Sequence, residues 1–248
     1  MNLNVHEWGD PAGPAVVCLH GVTGHGARFG ALARRLGGSR VIGVDLRGHG
    51  RSGWEPPWNV EAHVSDLLDT ADALGVERAA WVGHSFGGLL VAELAARVPG
   101  RVERAVLLDP ALHVDPAVAA VQAEGARQDV SFGSADEAIE ARLSGGTLFT
   151  TPRTVLEEEA GAHLERGEDG RLRWRYSPSA AIAAWSEMAR PAPPLPSCPT
   201  LVVLGARSWI PVDVEPGARL EVVTVPGGHS VLWDDFDATA DAIARFLG

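Results

Sequence analysis

Ala79-Ala80-Trp81-Val82-Gly83-His84-Ser85-Phe86-Gly87-Gly88-Leu89-Leu90-Val91 passes without a break from a buried-strand pattern into a helical one. The serine sits at the change of direction, inside Gly83-x-Ser85-x-Gly87. A strand-to-helix turn this sharp holds its central residue in a strained backbone conformation. Glycines flank it because a Cβ there would strike the neighbouring strand or helix. The strain lifts the Ser85 hydroxyl above the sheet, and the helix opening at Phe86 aims free N–H groups at whatever binds beside it. The five-residue pattern is weak alone; the strand before it and the helix after it make Ser85 a nucleophile candidate.

Outward from this turn the same alternation continues. Apolar, Val- and Leu-rich runs at 15–19, 40–46, 104–108, 200–204 and 220–225 have few polar interruptions, as parallel strands buried on both faces do. Between them lie amphipathic segments at 60–74, 86–98 and 235–247. The pattern predicts an α/β fold, a doubly wound and mostly parallel sheet. It breaks once, where about 90 residues separate two strands that an ordinary connection would join with 2–6. That stretch reads as helices at 116–128, 135–143, 152–165 and 179–190, with Glu157-Glu158-Glu159 on a solvated face, a turn at Gly167-Glu168-Asp169-Gly170, and a stiff proline-rich return at 191–196. The expected organisation is a core from 1–111 and 197–248, with a helical cap and linker from 112–196 inserted before the penultimate strand.

Composition removes several classes of function. The chain has 248 residues and a net charge of −11, and every one of its 21 basic residues is an arginine. Without lysine there is no Schiff base and no phosphate-gripping P-loop. The acidic balance argues against nucleic acid, which demands a basic face. No apolar run is long enough to span a membrane, and the first residues lack the basic and apolar regions of a signal peptide, so the expected location is the cytoplasm. Cys18 and Cys198 read as structural thiols, with no metal site implied. Gly48-His49-Gly50-Arg51-Ser52-Gly53 fits a dinucleotide fingerprint, but Pro56-Pro57 follows where a helix would have to begin.

A serine needs a base. Of nine histidines, His229 in Gly227-Gly228-His229-Ser230 lies between the last strand and the last helix, at the sheet edge that also carries Ser85. His6, His63, His113 and His163 read as surface or cap residues, and His49 and His84 as packing beside motif glycines. His20-Gly21-Val22 follows the first buried strand, where a turn can bring the Val22 N–H beside that of Phe86; two such donors form an oxyanion hole.

Taken together, His20-Gly21, Asp45-Leu46-Arg47-Gly48-His49-Gly50-Arg51-Ser52, Gly83-His84-Ser85-Phe86-Gly87-Gly88 and Gly228-His229 resemble the α/β-hydrolase superfamily across nearly the whole chain. The resemblance implies a serine–acid–histidine triad, a helical cap over the site and no cofactor. It assigns Ser85 as nucleophile, His229 as base, and Val22 and Phe86 as oxyanion donors. Two features depart from it. The usual first strand is expected to be missing, and Ser208 stands three residues past Gly205, where the family places its acid. Asp109, at the end of the 104–108 strand, is the favoured replacement, with Asp213 as its rival.

The resulting expectation is a serine hydrolase of carboxylic esters. A cofactor-free lyase, a C–C or lactone hydrolase on the same triad, and a non-catalytic binding protein are the alternatives. Trp54, Trp185, Met188, Trp209 and Trp233 fall on segments that open on one sheet edge and are expected to line an apolar pocket. Arg171, Arg173 and Arg175 alternate with Leu172 and Trp174 and are expected to face solvent. An uncharged small-molecule ester is the substrate this implies.

Overall fold

The structure, a computed structural model, describes residues 1–128 and 130–248. In chain order the first half holds β1 (Val5–Gly9), β2 (Ala15–Leu19), α1 (Gly30–Arg35), β3 (Arg40–Val44), α2 (Val60–Ala73), β4 (Ala79–His84), α3 (Phe86–Arg97) and β5 (Val102–Leu108). An insertion follows: α4 (Pro116–Ala126), α5 (Ala135–Ser144), α6 (Arg153–His163), the hairpin β6 (Leu164–Arg166) and β7 (Leu172–Trp174), and α7 (Pro178–Met188). The chain then returns through β8 (Thr200–Gly205), β9 (Leu220–Val225), α8 (Val231–Asp234) and α9 (Phe236–Leu247).

Seven strands form one sheet in the order β1-β3-β2-β4-β5-β8-β9. Only β1 runs antiparallel, pairing with β3 at the edge, and no strand precedes it among the described residues. The interior strands are apolar on both faces because both faces are covered. Along β2, Val16 and Cys18 join Phe29, Leu32 and Ile243 on one side, while Val17 and Leu19 join Leu67, Trp81 and Leu90 on the other. Each strand thus feeds two cores at a two-residue period. Their carboxyl ends lie on one edge, and the loops bearing Ser85, Asp109 and His229 all leave from it.

The insertion is helical as the sequence predicts, and it adds the short β6–β7 hairpin around the Gly167–Gly170 turn. It is fastened to the sheet domain at several points. Gly50 N–H donates to Arg175 O at 2.9 Å, Ser177 N–H to Gly48 O at 2.7 Å, and Val60 N–H to Glu187 Oε2 at 3.0 Å. No described helix is long and apolar enough to cross a membrane.

Three positions differ from their sequence reading. Met188 is fully buried in the core between insertion and sheet, because α7 turns that face inward against α3 and α4. Glu159 is buried rather than solvated: it shares the inner stripe of α6 with Leu156, Ala160 and His163. His63 is also buried, on the inner face of α2, with its ring edge-on to Phe86 at 5.4 Å.

Burial pushes the His63 imidazole down to about 3. Unfolding exposes a ring that takes a proton near pH 6.5, whereas the folded ring stays neutral until about pH 3. The unfolded state therefore gains the proton first, and stability falls as the pH drops below about 6.5. His63→Phe should remove this share. Between pH 7 and pH 5, urea unfolding should show a loss smaller by about 2 kcal/mol in the variant than in the wild type. An equal loss in both proteins contradicts the assignment.

Candidate active site

Ser85 occupies the turn between β4 and α3 with φ of 55°. The glycines around it are sterically required. A Cβ on Gly83 would lie 2.3 Å from Gly87 O, and one on Gly87 would lie 2.3 Å from Leu19 O. Ser85 N–H donates to Leu108 O at 3.0 Å, and Ser85 O accepts from Ala111 as well as from Gly88 and Leu89 of α3, so the turn is tied to the end of β5 and to the segment that follows it. The hydroxyl has no hydrogen-bond partner among the described residues and faces a cavity of about 320 Å³.

His229 faces the same cavity from the loop after β9. Its Nδ1–H donates to Asp109 Oδ2 at 2.6 Å, which leaves Nε2 as the unprotonated nitrogen. Asp109 is 1% exposed, at the end of β5, and is the second non-glycine residue with positive φ, 41°. Three donors satisfy it: His229, Gly205 N–H at 2.9 Å on Oδ1, and the Ser208 hydroxyl on Oδ2. Ser208, at the position where the resemblance places an acid, thus donates to Asp109, the carboxylate at the end of the neighbouring strand. Asp213 is exposed on the loop beyond it and is not brought to His229.

The loop after β2 is set by a neutral histidine. His20 Nε2 accepts Leu46 N–H at 3.0 Å, so the proton is on Nδ1, which donates to Gly21 O at 2.7 Å. Burial, with His49 close by, holds His20 well below its ordinary value. Gly21 O and Val22 N–H belong to one peptide plane, so the His20 bond fixes the direction of the Val22 N–H. His49 Nε2 contacts Val22 O and pins the next peptide. Phe86 N–H, at the first turn of α3, is the other expected donor. His84 has a packing role: burial keeps it neutral, and its Nε2–H donates to His229 O at 2.9 Å, bracing the base loop.

Trp185, Trp209 and Trp233 line the cavity, together with Leu148. Met188 and Trp54 do not. The first is core, and the second is 41% exposed beside Arg51 and Arg175 on another face. Arg171 and Arg175 bond to Ser131 and Glu165, and Arg173 to Asp169, at the surface, so these three stay outside the cavity as predicted. Two other arginines were missed. Arg28, just past the His20 loop, and Arg142, on α5, both line the cavity, and both reach Glu159 Oε1. A signal for Glu159 existed in the Leu156/Glu159/Ala160/His163 spacing; none marked Arg142. An expected apolar pocket is therefore apolar on one side and cationic on another.

Asp234, also unremarked in the sequence, joins the base loop to the insertion. It accepts from Gly228 N–H at 2.8 Å, Phe149 N–H at 3.1 Å, Thr150 N–H at 3.2 Å and Thr151 Oγ1 at 2.6 Å. Burial opposes its charge, but these donors win and hold the carboxyl below its usual range.

A sequence profile for the alpha/beta hydrolase fold matches residues 14–236. The chain is similar to lipase LipV of Mycobacterium tuberculosis, 35% identical over 93% of this chain and 92% of that protein. It is similar also to esterase YbfF of Escherichia coli, 29% identical over 94% and 92%. Among solved structures, E-2-(acetamidomethylene)succinate hydrolase superposes with a TM-score of 0.84 at 25% identity, over 99% of this chain and 94% of that one.

Asp234→Ala leaves four donors without their acceptor and should lower stability by about 2–4 kcal/mol in urea titration. Limited proteolysis should then open the chain first at 147–152. A loss below about 0.5 kcal/mol would mean that the clamp carries no strain.

Proposed function

Because the chain belongs to the α/β-hydrolase family, we propose that it hydrolyses carboxylic esters through an acyl-enzyme on Ser85. The observation that carries this reading is the Asp109–His229 pair at 2.6 Å, set over the cavity into which the strained Ser85 turn presents its hydroxyl. Relatives named lipase and esterase support it.

In this reading the substrate carbonyl lies against Ser85, and His229 Nε2 takes the hydroxyl proton as Oγ attacks. Negative charge develops on the carbonyl oxygen, where the Val22 and Phe86 N–H groups receive it. Both are fixed before the reaction begins, one by His20 and one by the helix, so no reorganisation opposes them. Asp109 stabilises the imidazolium and keeps Nδ1 protonated throughout. The imidazolium then returns its proton to the leaving alkoxide, and a water repeats the sequence on the acyl-enzyme. Ser85 and His229 lack a direct hydrogen bond before substrate arrives, a gap that tightens in many such sites on binding. Residues 112–196 act as a cap: α5 and the segment after it roof the cavity through Ala141, Arg142, Thr147 and Leu148. The indoles of Trp185, Trp209 and Trp233 bury the apolar part of the ester. A binding protein without catalysis would need no buried acid behind its histidine, and Ser208 no longer favours that alternative.

A fluorophosphonate probe should label the wild type and fail to label Ser85→Ala. On p-nitrophenyl butyrate, Asp109→Asn should lower kcat by about 10³–10⁴-fold while Asp213→Asn stays within about twofold. Labelling that persists in Ser85→Ala, or a larger loss at Asp213, contradicts the reading.

A further inference from the structure

The protein carries a net charge of −11, yet among the described residues no aspartate or glutamate lines the cavity over Ser85, while two arginines do. Arg28 and Arg142 share a single counter-ion. Glu159 Oε1 accepts from Arg28 Nη2 and, at 3.4 Å, from Arg142 Nη1; its Oε2 accepts from His25 Nε2 at 2.8 Å. Among the described residues, two guanidiniums against one carboxylate leave one positive charge uncompensated at the cavity wall. Burial opposes ionisation of Glu159, but the Arg28 charge, the His25 bond and Arg142 hold it well below its ordinary range, so it remains an anion.

Donors are in surplus as well. Arg28, whose side chain is 10% exposed, has its Nε buried with no hydrogen-bond partner among the described residues. Among the described residues Arg142 makes the one long bond to Glu159 and otherwise sits over two indoles, its guanidinium carbon 3.8 Å from the Trp174 ring centroid and 5.8 Å from that of Trp233. Burial lowers Arg142 to about 10, which still leaves it charged at neutral pH. Stacking on Trp174, and of Arg28 on Trp233 at 4.4 Å, holds both side chains in place without using their N–H groups. An ion pair serving only to glue the insertion to the sheet would match charge for charge and use up its donors.

We infer that Arg28 and Arg142 form an anion subsite in the cavity of Ser85, and that the preferred substrate is an ester bearing a carboxylate. This deepens the ester-hydrolase reading and rests on it for the reaction, though not for the binding. It replaces the uncharged ester expected from the tryptophans alone: the indoles enclose the chain between the ester and the carboxylate, and the guanidiniums take its end. The carboxylate can lie on the acyl side, as in a half-ester of a dicarboxylic acid, or on the alcohol side.

The test has a binding arm and a kinetic arm. Calorimetry on Ser85→Ala should detect adipate and not adipamide, and the added change Arg142→Gln should weaken adipate at least about tenfold. In the wild type, kcat/KM for monoethyl adipate should exceed that for ethyl heptanoate by about tenfold or more, or 3-acetoxybenzoate should exceed 3-acetoxybenzamide likewise. The arm that responds tells which side of the ester carries the charge. Arg142→Gln should bring that ratio toward one, and Arg142→Lys, which keeps the charge and the packing, should retain part of it. Neutral esters turned over as fast as charged ones, with no adipate binding, overturn the subsite and leave the ester reading intact. Adipate binding without any ester turnover or Ser85-dependent labelling keeps the subsite and overturns the reaction.

Discussion

Asp109 is a carboxylate removed from water at the end of a central strand, and a buried charge is tolerated only where donors surround it. Its donors come from two chain segments: Gly205 and Ser208 at and just past the end of β8, and His229 after β9. Satisfying one side chain therefore fixes the relative position of two loops and sets the tautomer of a histidine. The backbone accommodates it at a positive φ, as it accommodates Ser85, so both non-glycine residues in this conformation among the described residues lie at the carboxyl edge of the sheet. Strain placed there is held by the parallel strands beneath, which are close-packed on both faces.

Two further carboxylates extend the same logic toward the insertion. Asp234 gathers the backbone of the loop after β9 and of the segment at 149–151, so the roof of the cavity and the loop that carries His229 share one anchor. Glu159 binds α6 to the loop after β2 through His25 and Arg28, a few residues along the chain from Val22 at the cavity. An insertion without regular register against the sheet is thus positioned by polar contacts at named points. Apolar packing of α7, through Met188 on its inner face, seats the insertion against α3 and α4 while Trp185 of the same helix reaches the cavity.

The strands, α2, α3 and α9 were legible in the sequence because burial on both faces or on one stripe leaves a periodic trace. Ser85 and His229 were legible because glycine spacing marks sharp turns. Asp109 could be ranked but not fixed, since strand ends carry no signal for which carboxylate reaches across. The serine at 208 read as a defect, because a hydroxyl that supports an acid looks the same in sequence as one that replaces it. Arg28, Arg142 and Glu159 are 114 and 17 residues from one another along the chain, or more. Their meeting depends on how the insertion docks, which no local pattern encodes. Trp54 and Met188 were misplaced for the same reason: residue type suggested a pocket, and docking decided otherwise.

Asp109 is the carboxylate that orients the His229 ring. Proton NMR of the Nδ1–H resonance tests it directly, because a hydrogen bond to a buried carboxylate shifts that proton far downfield and protects it from exchange. The account predicts such a resonance in the wild type, its persistence in Asp213→Asn, and its loss in Asp109→Asn. A resonance that survives in Asp109→Asn, or vanishes in Asp213→Asn, would contradict it.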